Sequence, residues 1–219
     1  LAAYRMGLPF LSYPTAPSVD AYSSPTSAMT FRGVKKTVPA RAPQVVFVDN
    51  DVLAAAPHDM IAAGVGDMVA KLTSTPDWRI AGLVTGDAFD EALAGRSLRA
   101  VDSCTAEVDR IRAHEPQAIA TLMRGLIESG DCMGEWGGSR PASGSEHLLS
   151  HFWEMRAHQA GTHSALHGAK VGIATALTAG LFERLANMRQ GSLEERIDAA
   201  HLPGREELRR RAVAGFGEA

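Results

Sequence analysis

Eight histidines occur in this 219-residue chain, and five of them fall between positions 147 and 167: His147, His151, His158, His163 and His167. Neutral imidazole is the commonest metal ligand and a frequent proton carrier, so this crowding is the first place to look for chemistry. His147 and His151 lie one helical turn apart in GSEHLLSHFWEM and would share a face. His163 and His167 repeat the spacing in GTHSALHG. A solvated helix face that carries imidazole by chance has the same pattern, and spacing alone does not separate the two. A catalytic metal usually takes three protein ligands and keeps one position open, so a carboxylate is wanted beside two imidazoles. Asp67 in AAGVGDMVAKL is the best acidic partner. It follows Gly64 and Gly66 inside a helical pattern, where each glycine costs about 1 kcal/mol against alanine. Glycines in such a place often allow close approach by backbone or ligand. The plain alternative for Asp67 is an i,i+4 ion pair with Lys71. GVGDMV is not the start of a dinucleotide fingerprint: Val69 stands at the third glycine position, and a helix-like stretch precedes it.

The elements that must position these residues change character along the chain. LPFLSYP and QVVFVD are short apolar runs of strand length bounded by Pro, Gly and Asp, and FRGVKKTV between them reads as a hairpin with Gly33 near its turn. Past about Pro57 the spacing becomes helical, and it predicts helices near 57–73, 77–85, 87–112, 114–129, 144–159, 163–188, 192–200 and 204–214. Glycine and proline clusters at 130–144 and around Pro203 read as loops. In the 144–159 helix Ser145 is the expected N-cap, and Leu148, Phe152 and Met155 form an apolar stripe to anchor it. At the front, PTAPSVDAYSS follows a predicted strand, the place where ligands collect in α/β domains. It offers hydroxyls from Thr15, Ser18, Ser23 and Ser24 and a carboxylate from Asp20; a simple Pro/Ser turn is the plain alternative. The expected division is residues 1–56 as an α/β edge and residues 57–219 as a helical domain, with a cleft between.

Bulk properties exclude more than they specify. A formal net charge of −3 gives no reason to expect nucleic acid or an anionic membrane as partner. No apolar stretch is long enough to span a bilayer. Two cysteines are too few for a disulfide framework, which makes a reducing cytoplasm the expected compartment.

Four segments, PTAPSVDAYSS, APHDMIAAGVGDMVAKLTSTPDW, GGSRPASGSEHLLSHFWEM and LHGAKVGIAT, follow one another in this order. Together they closely resemble the glycerol-1-phosphate dehydrogenase family, within the superfamily of iron-containing alcohol dehydrogenases, glycerol dehydrogenase and dehydroquinate synthase. The resemblance runs from the first residues to about position 185. It implies the dehydroquinate synthase-like two-domain architecture: the edge of a Rossmann-like N-terminal domain, then a mainly α-helical metal-binding domain. It implies a divalent metal (zinc, nickel or iron) held by Asp67, His147 and His167, with substrate contacts from Asp20, Asp67 and His151. It implies that Thr15, Ala16, Pro17, Ser18 and Ser24 line the nicotinamide of NAD or NADP. The implied reaction is hydride transfer at C2 between sn-glycerol 1-phosphate and dihydroxyacetone phosphate, with His151 or a water relaying the proton. The implied assembly is a homodimer or larger. Arg140 and Lys170 are candidate phosphate ligands, and His163 receives no role. The family's glycine-rich cofactor loop is missing, Ala21 stands where the family usually has glycine, and the helical part stops early. These departures give the expectation of a middle portion of the enzyme. A polyol dehydrogenase of the same superfamily and a non-catalytic metal-binding homologue are the competing readings.

Overall fold

The computed structural model describes residues 1–31, 34–200 and 203–216. Its front is built from short pieces. Helix α1 (Ala2–Met6) stops at Gly7, whose φ of 68° is left-handed. Strand β1 (Leu11–Ser12) pairs in parallel with β4 (Val45–Val46), Leu11 opposite Val45 and Ser12 opposite Val46. Between them β2 (Thr26–Phe31) and β3 (Val34–Pro39) form an antiparallel hairpin in the register Thr26↔Pro39 to Phe31↔Val34. The two apolar runs thus give strands of two residues each, and the expected turn at Gly33 lies outside the described residues. Helix α2 (Asn50–Ala54) was not expected. Asp49 nucleates it, accepting the Asp51 and Val52 N–H groups at 3.1 and 3.2 Å, and also takes the Tyr13 hydroxyl from beside β1.

The rest is helical, with boundaries set by caps more than by apolar spacing. The expected 57–73 helix divides at Ala70 into α3 (His58–Val69) and α4 (Lys71–Thr85). Pro76, where the sequence pattern breaks, is absorbed inside α4 near its start, at the loss of one backbone bond. The expected 87–112 helix also divides. Asp90 caps α5 (Glu91–Thr105) by accepting the Ala92 and Leu93 N–H groups, and α6 (Val108–Arg112) follows as a separate turn. Helix α7 (Pro116–Trp136) runs on through the glycines expected to open a loop and ends on Gly137 at φ 77°. Gly130 is there for packing: a Cβ on it would stand 2.2 Å from Ser23 Oγ. Helices α8 (Ser145–Gln159), α9 (His167–Ala186), α10 (Gln190–Ala199) and α11 (Arg205–Phe216) complete the order.

Helix α7 is the axis of the core. Ile119, Leu122, Met123 and Leu126 are sealed on it against Leu53, Ile61, Met68, Val101 and Ile111. Trp78, Phe89 and Trp136 form a second cluster, edge to face at 4.7 Å, with the Trp78 indole donating to Ala88 O at 2.8 Å. The site depends on a third contact, where α3 meets α9 nearly backbone to backbone. A Cβ on Gly66 would stand 2.2 Å from Gly168 O, and one on Gly168 would stand 1.9 Å from Ala63 O. A Cβ on Gly64 would stand 1.8 Å from Pro17 O, so the same helix admits the front loop. Asp67 and His167 each neighbour one of these glycines, and close approach brings them together.

Candidate metal centre

Asp67 is fully buried on α3, beneath the front loop. Its Oδ2 accepts the Asp20 backbone N–H at 2.9 Å. Its Oδ1 accepts no hydrogen bond. That oxygen faces His147 Nε2 at 3.4 Å and His167 Nε2 at 3.9 Å. One ligand atom from each of the three residues lies within 4.8 Å of the others. The third imidazole, His151, stacks on His167 with ring centroids 5.5 Å apart. All four residues line one cavity of about 420 Å³, roofed by the β2–β3 hairpin.

Each facing imidazole is oriented from behind. His147 Nδ1 bonds Glu146 Oε1 at 2.8 Å, and His167 Nδ1 bonds Glu154 Oε1 at 3.0 Å. A carboxylate on Nδ1 turns Nε2 toward Asp67 in both rings, the arrangement found behind metal-bound histidines. Glu146 is itself fixed by the Gly144 N–H at 2.6 Å and the Thr73 hydroxyl at 2.8 Å. Glu154 also receives Lys35 and, at 3.1 Å, Lys170. Beneath Asp67, Lys71 is sealed from solvent and donates to Asp20 Oδ2 at 2.5 Å and to Asp67 O at 2.8 Å, while Ser129 donates to Asp20 Oδ2 at 2.9 Å. Lys71 therefore reaches the Asp67 backbone and the Asp20 carboxylate, not the i,i+4 carboxylate pairing weighed from the sequence.

The electrostatics follow from this packing. Burial raises the Asp67 carboxyl, but the facing His147 ring and the charges of Lys71 and His167 outweigh it and hold the group well below the usual carboxylate range. Burial lowers His147, yet Asp67 and Glu146 together push it up to about 9. His151 goes the other way: burial, then Lys35 and the two neighbouring imidazoles, press it down to about 4. The site thus gathers positive charge at His147 and keeps His151 neutral at pH 7.

A divalent cation fits this arrangement. A buried carboxylate oxygen without a hydrogen-bond partner faces two imidazole nitrogens whose far sides are already committed. His151, Glu154 and His167 form a second cluster of donor atoms. Glu154 there is spent on Lys35 and Lys170, which favours the Asp67 set.

The structure brings Asp20, Ser24, Asp67, His147, His151 and His167 to the same cavity. It does not bring Thr15, Ala16, Pro17 or Ser18 there. Thr15 is exposed and Ala16 is buried in the core. Ser18 is tied through its N–H to the Tyr22 hydroxyl at 3.2 Å. His163 and His167 do not share a helix face, because α9 begins at His167 and His163 lies exposed before it. Arg140 is exposed and bonds Asp87 at 2.7 Å. Lys170 is buried on Ser164, Ala165 and Glu154. Two local expectations for α8 are corrected. Ser145 does not cap it: Gly144 holds that position, and the Asp77 and Glu146 carboxylates take the free N–H groups. Leu148 is 72% exposed, and the helix is held by buried Glu146, His147 and Ser150. The sequence reading passed over Glu146, Glu154, Lys35 and Ser129; a carboxylate immediately before His147 and another three residues after His151 were the available signal.

Residues 1–57 match the family model of iron-containing alcohol dehydrogenases. A glycerol-1-phosphate dehydrogenase [NAD(P)+] of Geobacillus thermodenitrificans is 42% identical over 84% of this chain and 46% of its own length. The chain belongs to the iron-containing alcohol dehydrogenase superfamily, on its glycerol-1-phosphate dehydrogenase branch. A second relative of that name, from Pyrococcus horikoshii, is 38% identical over 82% of this chain and 51% of its own length. The crystal structure of glycerol dehydrogenase from Schizosaccharomyces pombe superposes with a TM-score of 0.64 at 21% identity, over 83% of this chain and 46% of that one. The chain thus spans about half the length of the curated relatives it matches. The fold is that of the dehydroquinate synthase-like dehydrogenases, with a small sheet region followed by helices. Among the described residues no helix is long and apolar enough to cross a membrane.

Proposed function

We propose that this chain carries the metal- and substrate-binding part of a cytoplasmic NAD(P)-linked dehydrogenase that interconverts sn-glycerol 1-phosphate and dihydroxyacetone phosphate. The observation that carries the reading is the buried, unpartnered Asp67 Oδ1 facing two Nε2 atoms at the wall of a ligand-sized cavity. The identity to glycerol-1-phosphate dehydrogenases supports the choice of substrate.

Asp67, His147 and His167 would hold a zinc, nickel or ferrous ion, a set of one carboxylate and two imidazoles that suits all three. When bound, such an ion supplies Lewis-acid polarisation of an oxygen on the reacting carbon. With Nδ1 held by Glu146 and Glu154, loss of the Nε2 proton would leave each ring in the tautomer that presents Nε2. His151, neutral at pH 7, is placed to hold a proton at the cavity wall and pass it to or from the substrate oxygen. The Asp20 N–H holds Asp67, the Asp20 carboxylate is braced by Lys71 and Ser129, and Asp20 lines the cavity, which supports a role for it in contact with substrate. Ser24 lines the same cavity, and the loop from Thr15 to Ser18 behind it is the proposed nicotinamide side, with residues 1–56 as the edge of the nucleotide-binding half. The working enzyme is proposed to be a dimer or larger.

The test is metal content by mass spectrometry on wild type and His147→Ala, with NADH oxidation by dihydroxyacetone phosphate followed in the same samples. Near-stoichiometric metal that the substitution removes, with activity that requires the substrate phosphate, is the expected result. Equal activity on unphosphorylated dihydroxyacetone would move the assignment to a polyol dehydrogenase. Absence of metal after reconstitution with zinc or nickel would overturn the site.

A further inference from the structure

We propose that Lys35, on the hairpin over the metal centre, takes the substrate phosphate and so selects a phosphorylated three-carbon substrate over the free polyol. The inference rests on the dehydrogenase reading above and names the recognition element it lacks.

A phosphate needs cationic or polar donors inside the cavity. Among the described residues that line it, Lys35 is the only lysine or arginine. The other nearby cations are committed elsewhere. Lys71 is sealed below the floor on Asp20 and the Asp67 carbonyl. Lys170 places its ammonium against three acceptors, Ser164 Oγ at 2.5 Å, Ala165 O at 2.6 Å and Glu154 at 3.1 Å, which match its three donors. Arg140 lines a different hollow with Asp77, Ile80 and Leu148. Lys35 gives one donor to Glu154 and has two more.

The hairpin presents Lys35 in suitable company. Residues 35 and 37 of β3 share a face, and the register sets Ala28 opposite Thr37 and Thr30 opposite Lys35. Lys35 and Thr37 line the cavity together with Thr26, Ser27 and Ala28. The ammonium therefore shares a cavity wall with three hydroxyls, and the small Ala28, opposite Thr37 on that wall, leaves room for an anion. Its distance from the reacting position is set by one carboxylate. Glu154 receives Lys35 on Oε2 and the His167 ring on Oε1. A substrate oxygen near Asp67, His147 and His167 would bring a phosphate to Lys35 when that phosphate sits on the adjacent carbon. Glu154 also holds the ammonium in place before substrate arrives, which lowers the ordering cost of binding.

The experiment compares the full-length enzyme as wild type, Lys35→Met and Lys35→Arg, with dihydroxyacetone phosphate and dihydroxyacetone as paired substrates and inorganic phosphate as a competitive probe. Metal content and thermal midpoint are measured on each sample. The expected result for Lys35→Met is a rise of roughly 10- to 100-fold in KM for the phosphorylated substrate, the scale of one lost charge-assisted hydrogen bond. The ratio of kcat/KM between the two substrates falls by the same factor, inhibition by phosphate weakens with it, and Lys35→Arg restores most of both. A Lys35→Met enzyme that keeps the wild-type substrate ratio, or that loses kcat on both substrates together with its metal, would show that Lys35 only braces Glu154 and would overturn the proposal. A wild-type enzyme indifferent to the substrate phosphate would instead overturn the dehydrogenase reading, and the Lys35 assignment with it.

Discussion

Glu146 sits immediately before a metal-ligand candidate and is as buried as Asp67. The cost of burying it is met by three polar groups: the Gly144 N–H, the Thr73 hydroxyl and His147 Nδ1. The first belongs to the start of α8, the second ties Glu146 to α4 and the third serves the imidazole, so Glu146→Gln separates the last role from the others. An amide of the same shape keeps the volume but loses the charge that opposes His147. Metal affinity is expected to fall about 10- to 100-fold in a chelator competition, with the helical circular dichroism unchanged. Unchanged affinity would leave Glu146 as a cap alone. Cys104 makes a pH-dependent case away from the site. Burial pushes its thiol up to about 11, with Lys71 and Arg124 pulling weakly the other way. The folded value lies above the ordinary one near 9, so the unfolded chain releases its proton first as pH rises. Stability is therefore full below about pH 8.5 and falls by roughly 2–3 kcal/mol between pH 9 and 11, a drop that Cys104→Ala should remove from urea titrations run across that range. In the native protein at pH 8, Cys104 should resist alkylation until denaturant is added.

At the scale of elements the candidate metal centre depends on how closely α3 and α9 can approach. Gly66→Ala would place a methyl group 2.2 Å from Gly168 O, where the obstacle is backbone and cannot rotate away. The helices must separate, at about 1–3 kcal/mol or more by the scale of overpacking. Because Asp67 and His167 flank the contact, metal affinity is expected to fall in step with the urea midpoint. Gly180→Ala, on α9 away from this contact, is the control. A Cβ there meets nothing within 4 Å, so stability should rise by about 0.5–1 kcal/mol while metal affinity stays at the wild-type value. These glycines also show what the sequence could and could not disclose. Gly64 and Gly66 stood out because a helical pattern does not tolerate them cheaply, and that led to Asp67. The same reasoning turned Gly130 and Gly134 into a loop, because composition does not say whether a glycine bends the chain or lets Ser23 in. Helix starts at Asp49 and Asp90 were carried by single caps that apolar spacing does not register. The candidate ligand set of Asp67, His147 and His167 came from the resemblance of segments in their order, and the structure brings these three residues together. Lys35, Glu154 and Lys71 were not legible, since their partners lie 119, 13 and 51 positions away.

For the molecule as a whole, α9 is apolar on both sides. One side packs Gly168, Val171, Ala174 and Thr178 into the protein. The other carries Ile173, Leu177, Leu181 and Leu185, four residues apart and 48–61% exposed. A helix with apolar residues all round is normally covered on all sides, and a row of this length is more than scattered surface leucine. Arginine or lysine does not interrupt it between positions 171 and 183. The row is therefore expected to be an interface, and purified chain of this length should self-associate with increasing concentration. Sedimentation velocity on wild type and on the double substitution Leu177→Gln, Leu181→Gln tests this. The expected outcome is a shift of the double variant toward monomer with metal content preserved, because the substituted positions face away from Gly66 and Gly168. Equal sedimentation of both proteins, with no fluorescence gain from an apolar dye, would mean the row is tolerated in water. Loss of metal in the double variant would mean instead that the outer face of α9 helps to hold His167 against Asp67, tying the surface of the molecule to a fully buried carboxylate.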